Sequence, residues 1–341
     1  MRFLRRFALL LFAAGLPVGA GAAVIVDSAG RQVTVPEAVA HVLPAGPPAS
    51  VALFALAPDR MVGWIQPLSA AQLGFIPPRY ASLPAVGRLT QRDGNPAELV
   101  RIAHPDLIVD IGDVDRRYAD LADKVQKETG VPYLLFSGSL AEIGSALRKL
   151  RPILGNGAEG ERLAKYVATA LAEAHKLAAR PAAAHPKVYF ARGDGLLMPV
   201  GGNGPAEFLR LLGVRMLAAE PDVHGNATVT LDRVRAWQPD YIVTDEPGAF
   251  DAVTHHPEWR TVKAVKDGHV LLAPAGPFGW LDHPPSLNRV MGLRWLARKL
   301  YPRAFKDDLR PVTAAFYRLA YHQEPAPAQL DLLLQASPAH R

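Results

Sequence analysis

The sequence predicts an α/β protein of two lobes, each a small parallel sheet flanked by helices, joined by a single long helix. Three observations carry that expectation. Short β-type runs alternate with helical stretches along most of the chain, the pattern of parallel α/β units. One unit recurs. Glu98-Leu-Val-Arg-Ile-Ala-His-Pro105-Asp106-Leu-Ile-Val aligns with Asp232-Arg-Val-Arg-Ala-Trp-Gln-Pro239-Asp240-Tyr-Ile-Val, repeating an acid, an apolar residue, an arginine and Pro-Asp-x-Ile-Val in register. Between the copies, Glu159–Ala179 is rich in Ala, Leu, Glu and Lys and is broken by Gly160 alone. A helix of that length reaches on the order of 30 Å, enough to brace one lobe against the other. The expected division is a targeting segment over 1–22, a first lobe over 23–154, a connecting helix within 155–181 and a second lobe over 182–341.

The elements follow in order. Residues 24–35 alternate apolar and polar about Asp27-Ser-Ala-Gly30 and read as a hairpin. His41–Leu43 is a short strand, Ser50–Ala57 a helix opened by a serine cap, and Met61–Trp64 another strand. Glu98–Ile102 has a helical pattern and leads through Pro105-Asp106 into a buried-type strand, Leu107–Asp110. Tyr118–Thr129 is an amphipathic helix stopped by Gly130, and Val131–Phe136 is the next strand. A helical stretch runs from Ser139 to Leu154 before the connecting helix. The second half repeats the scheme with strands at Lys187–Ala191, Tyr241–Thr244 and His269–Ala273, and helices at Pro205–Leu212 and Ser286–Leu300.

Composition narrows the function classes. An apolar content of 49% in 341 residues supports a packed core and excludes disorder as the main state. The absence of cysteine excludes disulfides, thiolate metal sites, iron–sulfur clusters, a cysteine nucleophile and an acylated N-terminal cysteine. Half of the net charge of +6 comes from Arg2, Arg5 and Arg6. These begin a targeting pattern that continues with an apolar run from Phe7 to Leu16 and a small-residue site at Ala20-Gly21-Ala22. The ten-residue run is too short to span a bilayer, so the expectation is an exported, soluble chain. The remainder is only mildly basic and carries no dense Lys/Arg cluster, which argues against a nucleic-acid partner. The sequence contains no G-x-S-x-G, P-loop or G-x-G-x-x-G fingerprint and no H-E-x-x-H pattern, so neither an enzyme nor a metal site is expected.

In open α/β sheets a ligand sits beyond the carboxyl ends of the strands, so candidate residues are sought on the loops there. Arg88, Arg92 and Arg192 offer planar donor forks suited to carboxylate, catecholate or other oxyanion groups. Trp64, Tyr118, Phe278 and Trp280 supply rings on the same loops, with inward packing as the alternative. Asp282 either contacts the ligand or its metal, or caps the helix that begins near Ser286.

Several stretches together resemble the periplasmic iron-chelate and cobalamin binding proteins of ABC importers, the class III solute-binding proteins. They are Val26-Asp27-Ser28-Ala29-Gly30-Arg31 with Val33-Thr34-Val35-Pro36, the run Ser50–Trp64, the paired Pro105-Asp106-Leu-Ile-Val and Pro239-Asp240-Tyr-Ile-Val junctions, and Pro284-Pro285-Ser286-Leu287-Asn288-Arg289 followed by Gly292-Leu-Arg-Trp-Leu296. The resemblance implies two Rossmann-like lobes with a ligand cleft between them. It also implies capture in the periplasm of a metal chelate, a ferric siderophore first, with cobalamin, haem or a molybdate-type oxyanion as alternatives; a secreted metal-dependent enzyme is the alternative from another class, which the resemblance does not imply. No cofactor is expected, and the protein is expected to act as a monomer delivering to an inner-membrane permease. By the same resemblance, Glu98 and Asp232 would dock against that permease, one from each lobe.

Overall fold

The structure, a computed structural model, describes residues 23–91, 94–155, 157–200, 204–217 and 225–335. The targeting segment expected over residues 1–22 lies outside the described residues, as does Arg92. Among the described residues no helix is long and apolar enough to cross a membrane.

Strands β1 (Ala23–Val26) and β2 (Gln32–Val35) form the expected antiparallel hairpin. Asp27 makes its turn by accepting the amides of Ala29 and Arg31 on Oδ1 at 3.0 and 2.9 Å. Its buried Oδ2 also takes the amide of Leu135 at 3.2 Å, which ties the hairpin to the first sheet.

That sheet is parallel, in the order β3 (Val42–Pro44), β4 (Leu107–Gly112), β5 (Tyr133–Ser137). The strand expected over Met61–Trp64 is reduced to two isolated bridges, Val42 with Met61 and Trp64 with Ala85. The segment pairs with a different neighbour at each end, so no ladder develops. The first helix also differs from expectation, running over Pro47–Leu56 with Gly46 at its cap position. Proline is well suited to the first helical turn, where no intrahelical N–H bond is lost, and the Ser50 hydroxyl bonds back to the Pro47 carbonyl at 2.8 Å instead of capping.

The second half contains β6 (Lys187–Phe190), β7 (Leu197–Val200), β8 (Arg215–Met216), β9 (Gly225–Thr228), β10 (Tyr241–Thr244) and β11 (Val270–Leu272). Strands β8-β6-β10-β11 form a parallel sheet, while β7 and β9 pair antiparallel beside it. Counting the Met61 bridge as a rudimentary strand, both sheets have the order second, first, third, fourth.

The internal repeat proves to be the joint that sets this order. The helices Pro96–Ala103 and Leu231–Trp237 each end on a left-handed residue, His104 and Gln238, both with φ 45°. Proline follows in each case and cannot continue a helical hydrogen-bond ladder. The next aspartate then bonds, through side chain and backbone, to the start of the first strand of its own sheet or the residues just before it. Asp106 Oδ2 accepts the amides of Ala40 and His41, both at 2.8 Å, and the Asp106 amide donates to the His41 carbonyl at 2.8 Å. Asp240 Oδ2 accepts the Lys187 amide at 2.8 Å, and its own amide donates to the Lys187 carbonyl at 2.8 Å.

The long stretch between the halves forms one uninterrupted helix, Gly157–Ala178. Its buried face, Leu163, Ala164, Val167, Ala170, Ala174 and Leu177, follows the three-to-four-residue spacing of an amphipathic helix. It packs on Leu140–Leu154 from the first half and on Pro205–Leu211 and Asn288–Leu300 from the second. Glu173 anchors it by accepting Arg294 Nε and Nη2 at 3.0 and 2.6 Å. The last helices return to the first lobe: Leu309–Tyr321 packs on Pro47–Leu56, and His322 Nε2 lies 2.9 Å from the Phe54 carbonyl. One buried apolar cluster consequently runs from Val33 to Leu333 through both halves. Large relative movement of the lobes would have to break this shared core, so the fold favours limited closure around a ligand.

Candidate functional site

A cleft of about 440 Å³ opens where the carboxyl ends of β3 and β4 diverge. Strand order reverses there, which is where a parallel sheet leaves a crevice. Gly46, Pro47 and Pro48 form one side, Asp110, Ile111, Gly112 and Asp113 the floor, and Arg88, Thr90 and Tyr118 the flanks. The opposite wall comes from the second half: Gly204, the run Asp282 to Pro285, and Arg289. A side chamber of about 270 Å³, lined in part by Trp64, Ile65, Leu68 and Phe278, shares Pro47, His283 and Pro284 with the cleft.

Arg88 is exposed to the cleft. Its Nε donates to Thr90 Oγ1 at 2.7 Å, which orients the guanidinium, and its two Nη nitrogens have no partner among the described residues. The adjacent helix Pro47–Leu56 adds an N-terminus without a side-chain cap and without an acid in its own first turn, and the Asp110 carboxyl lies beside its Gly46 cap. Asp110 interrupts the apolar run of β4 with a buried carboxyl, bonded through Oδ2 to the Tyr133 hydroxyl at 2.9 Å. Burial pushes this carboxyl up to about 6, against the opposing pull of the Tyr133 hydroxyl, the Ile111 amide and Arg88.

The other two arginines near the cleft are already engaged. Arg192 Nη2 lies 3.1 Å from Asp245 Oδ2 and 2.7 Å from Asp282 Oδ2, and its side chain is absent from the cleft wall. Arg289 is 2% exposed; Nη2 donates to Glu207 Oε2 at 2.7 Å and the Gly204 carbonyl at 2.9 Å, and Nη1 to the Gly138 carbonyl at 3.3 Å. Glu207 also accepts the Leu140 amide at 2.7 Å, so this buried ion pair bolts the two halves together at the base of the cleft. Asp245, Glu246 and His283 bring carboxylate and imidazole atoms within 4.8 Å of one another. Arg192 lies against both acids, so a guanidinium already supplies the cation that this group would attract.

The sequence-derived residues are thus only partly brought together. Arg88, Tyr118 and Asp282 line the cleft, whereas Arg192 reaches it only through Asp282. Asp282 caps no helix, since Leu287 precedes Asn288–Leu300 as its cap residue. Trp64 and Phe278 are buried, with ring centroids 6.0 Å apart, and edge the side chamber instead of the cleft. Trp64 Nε1 donates to the Tyr80 carbonyl at 2.8 Å, which satisfies the indole inside the core. Trp280 is the clearest correction: it is 0% exposed, and its Nε1 lies 3.3 Å from the Tyr317 hydroxyl. The glycine-rich loop that suggested exposure is what permits this burial. A Cβ on Gly279 would lie 1.8 Å from the Asp282 carbonyl oxygen, and one on Gly292 would lie 1.9 Å from that of Trp280. Only glycine allows such backbone approach, and the approach folds the indole inward.

Sequence reasoning missed Asp110, Thr90, Arg289 and Glu207 as site residues. The available signal was an aspartate closing a wholly apolar strand, Leu107-Ile-Val-Asp110, since an acid in such a run is rarely buried without purpose. Glu98 and Asp232 occupy equivalent exposed positions and each pairs with an arginine three residues on, Arg101 at 2.5 Å and Arg235 at 2.8 Å.

Comparison with known proteins agrees with this architecture. The family model described as "Periplasmic binding protein" matches residues 76–276. The molybdate-binding protein MolA of Haemophilus influenzae is 29% identical over 106 residues, a match spanning 30% of this chain and 30% of that protein's length. An ABC transporter solute binding protein from Sulfurospirillum deleyianum superposes with a TM-score of 0.81 at 23% identity, covering 92% of this chain and 99% of that one. The molybdate-bound structure of the H. influenzae protein superposes with a TM-score of 0.71 at 20% identity, covering 89% and 99%. With two α/β lobes, one bracing helix and a cleft at the strand ends, the chain belongs to the periplasmic binding protein family, whose members bind solutes and are not enzymes.

Proposed function

We propose that this protein captures a compact anion in the cleft and presents it to the permease of an ABC importer in the periplasm. The observation supporting the reading is Arg88: a guanidinium oriented by Thr90, with both terminal nitrogens unpaired among the described residues, beside a helix N-terminus without a side-chain cap. Such an arrangement suits the oxygens of an oxyanion or a carboxylate-bearing chelate. Of the ligand classes the resemblance implied, haem and cobalamin lose support because three of the four expected rings lie in the core, leaving Tyr118 as the ring on the cleft. The partial likeness to a molybdate-binding protein favours an oxyanion of that type. A ferric siderophore is the second reading, favoured by the side chamber, which would give an organic arm an apolar berth.

Arg88→Ala is expected to weaken molybdate binding by about ten- to a hundredfold, the loss of one charge-assisted hydrogen bond of about 1.5–3 kcal/mol. Titration calorimetry on the variant, with a thermal melt as folding control, measures this. Unchanged affinity in a folded variant would remove Arg88 from the site.

Docking through Glu98 and Asp232 belongs to the same proposal. Both acids sit on exposed helix starts outside the cleft, each with one neighbouring arginine. Replacing both by alanine should reduce uptake in cells while leaving affinity for the ligand within about twofold. A matching fall in affinity would assign them to the fold or the site instead.

A further inference from the structure

The cleft contains a feature at odds with anion binding: its floor carries a carboxyl group close to the arginine that should hold the anion. Asp110 lies within β4, two residues before its end, with its Oδ2 committed to the Tyr133 hydroxyl at 2.9 Å. The carboxyl also accepts the Ile111 amide, no side chain bonds its Oδ1 among the described residues, and the residue forms part of the cleft wall. A carboxylate and an unprotonated oxyanion cannot share a low-dielectric floor without mutual repulsion, whereas a carboxylic acid there would donate a hydrogen bond to the anion.

We propose that Asp110 is the proton-linked specificity residue of the cleft: an anion that brings no proton of its own binds together with a proton, which is taken up by Asp110. The inference rests on the anion reading above. The surroundings of Asp110 allow this exchange. Arg88 faces it from the loop after Gly87, Tyr133 from β5, and Asp113 from the continuation of its own strand. The helix Pro47–Leu56, packed on β4, contributes no titratable side chain. Arg31 reaches the Tyr133 carbonyl at 3.0 Å and Tyr118 adds a hydroxyl on the flank. From the opposite wall come Asp282, Arg289 and His283.

The sign of the effect follows from linkage. In the empty cleft the carboxyl titrates at about 6, held up by burial. Below that pH the proton is already present, and the anion binds without further uptake. Above it the proton must come from solvent, so affinity falls with rising pH, approaching tenfold per unit while the complex remains protonated.

The test uses molybdate, which carries no proton between pH 6 and 9, and the full exported chain. Calorimetry in buffers of different ionisation heat should show uptake approaching one proton at pH 7.5, with affinity falling up to tenfold per unit from pH 7 to 8.5. In Asp110→Asn the uptake should vanish and affinity should become flat with pH. His283→Gln should retain the slope. Tyr133→Phe removes the hydroxyl that favours the charged form, so its slope should begin at higher pH. This shift supplies a second check should Asp110→Asn fail to fold. Molybdate binding without proton uptake in the parent, or uptake that persists in Asp110→Asn and disappears in His283→Gln, overturns the proposal while leaving the anion reading intact. No molybdate binding at any pH overturns the oxyanion reading and this inference with it.

Discussion

Replacing Arg289 with alanine is expected to destabilise the protein by about 3–5 kcal/mol, the usual cost of breaking one side of a buried ion pair. The guanidinium touches both halves: Glu207 and Gly204 from the second, the Gly138 carbonyl from the first. It also lies over the Phe208 ring, 4.9 Å from the centroid. Removing it leaves the Glu207 carboxylate buried, with the Leu140 amide but no cation. At about 2 °C per kcal/mol for a chain of this size, the melting temperature should fall by about 6–10 °C. The double variant Arg289→Met with Glu207→Gln should recover more than half of the loss. It removes the stranded charge, and the Gln carbonyl oxygen can still accept the Leu140 amide. A melt of Arg289→Ala within about 2 °C of the parent would show that the ion pair does not hold the lobes.

Trp280→Ala is expected to cost a similar amount, about 3–5 kcal/mol, with little change in the affinity of the folded fraction. The indole is fully buried among Tyr317 and its neighbours, with ring centroids 6.5 Å apart, and alanine would leave a cavity that a core shared by both lobes cannot collapse to fill. The two quantities separate the core position from a cleft position. A ring on the cleft wall would lower affinity and spare stability; a ring in the core does the reverse. Chemical denaturation together with molybdate titration on the same preparation distinguishes them, and a weakened ligand affinity at unchanged stability would return Trp280 to the site.

Much of the architecture was legible because it depends on local chemistry. The helix stops before Pro105 and Pro239 announce themselves in sequence, since proline cannot donate to the helical ladder, whereas the amides that Asp106 and Asp240 bind, those of Ala40, His41 and Lys187, lie more than fifty residues away. The long helix was equally plain, because Gly157–Ala178 follows helix propensity and a single apolar face. Boundaries slipped where a local preference met a competing one. Ser50 looked like a cap, but Pro47 starts the helix a turn earlier. Met61–Trp64 had a strand's composition, but its neighbours offer it only single bridges.

The two-lobed α/β class, the bracing helix, the strand-end position of the cleft and the loop that carries Arg88 are legible in the amino-acid order. Each of these rests on periodicity, chain-breaking residues or strand-end position. Tertiary structure alone decided which charges are free to act. Arg88, Arg192 and Arg289 are chemically alike in sequence, but Asp245 and Asp282 take the second, Glu207 takes the third, and the first keeps its terminal nitrogens. The same holds for Trp280 and Asp110. Whether a ring turns inward, or a carboxyl is stripped of water, depends on atoms far away in the chain. Burial and pairing are properties of the assembled core: a local pattern such as Leu107-Ile-Val-Asp110 marks an acid as buried and does not give its partners.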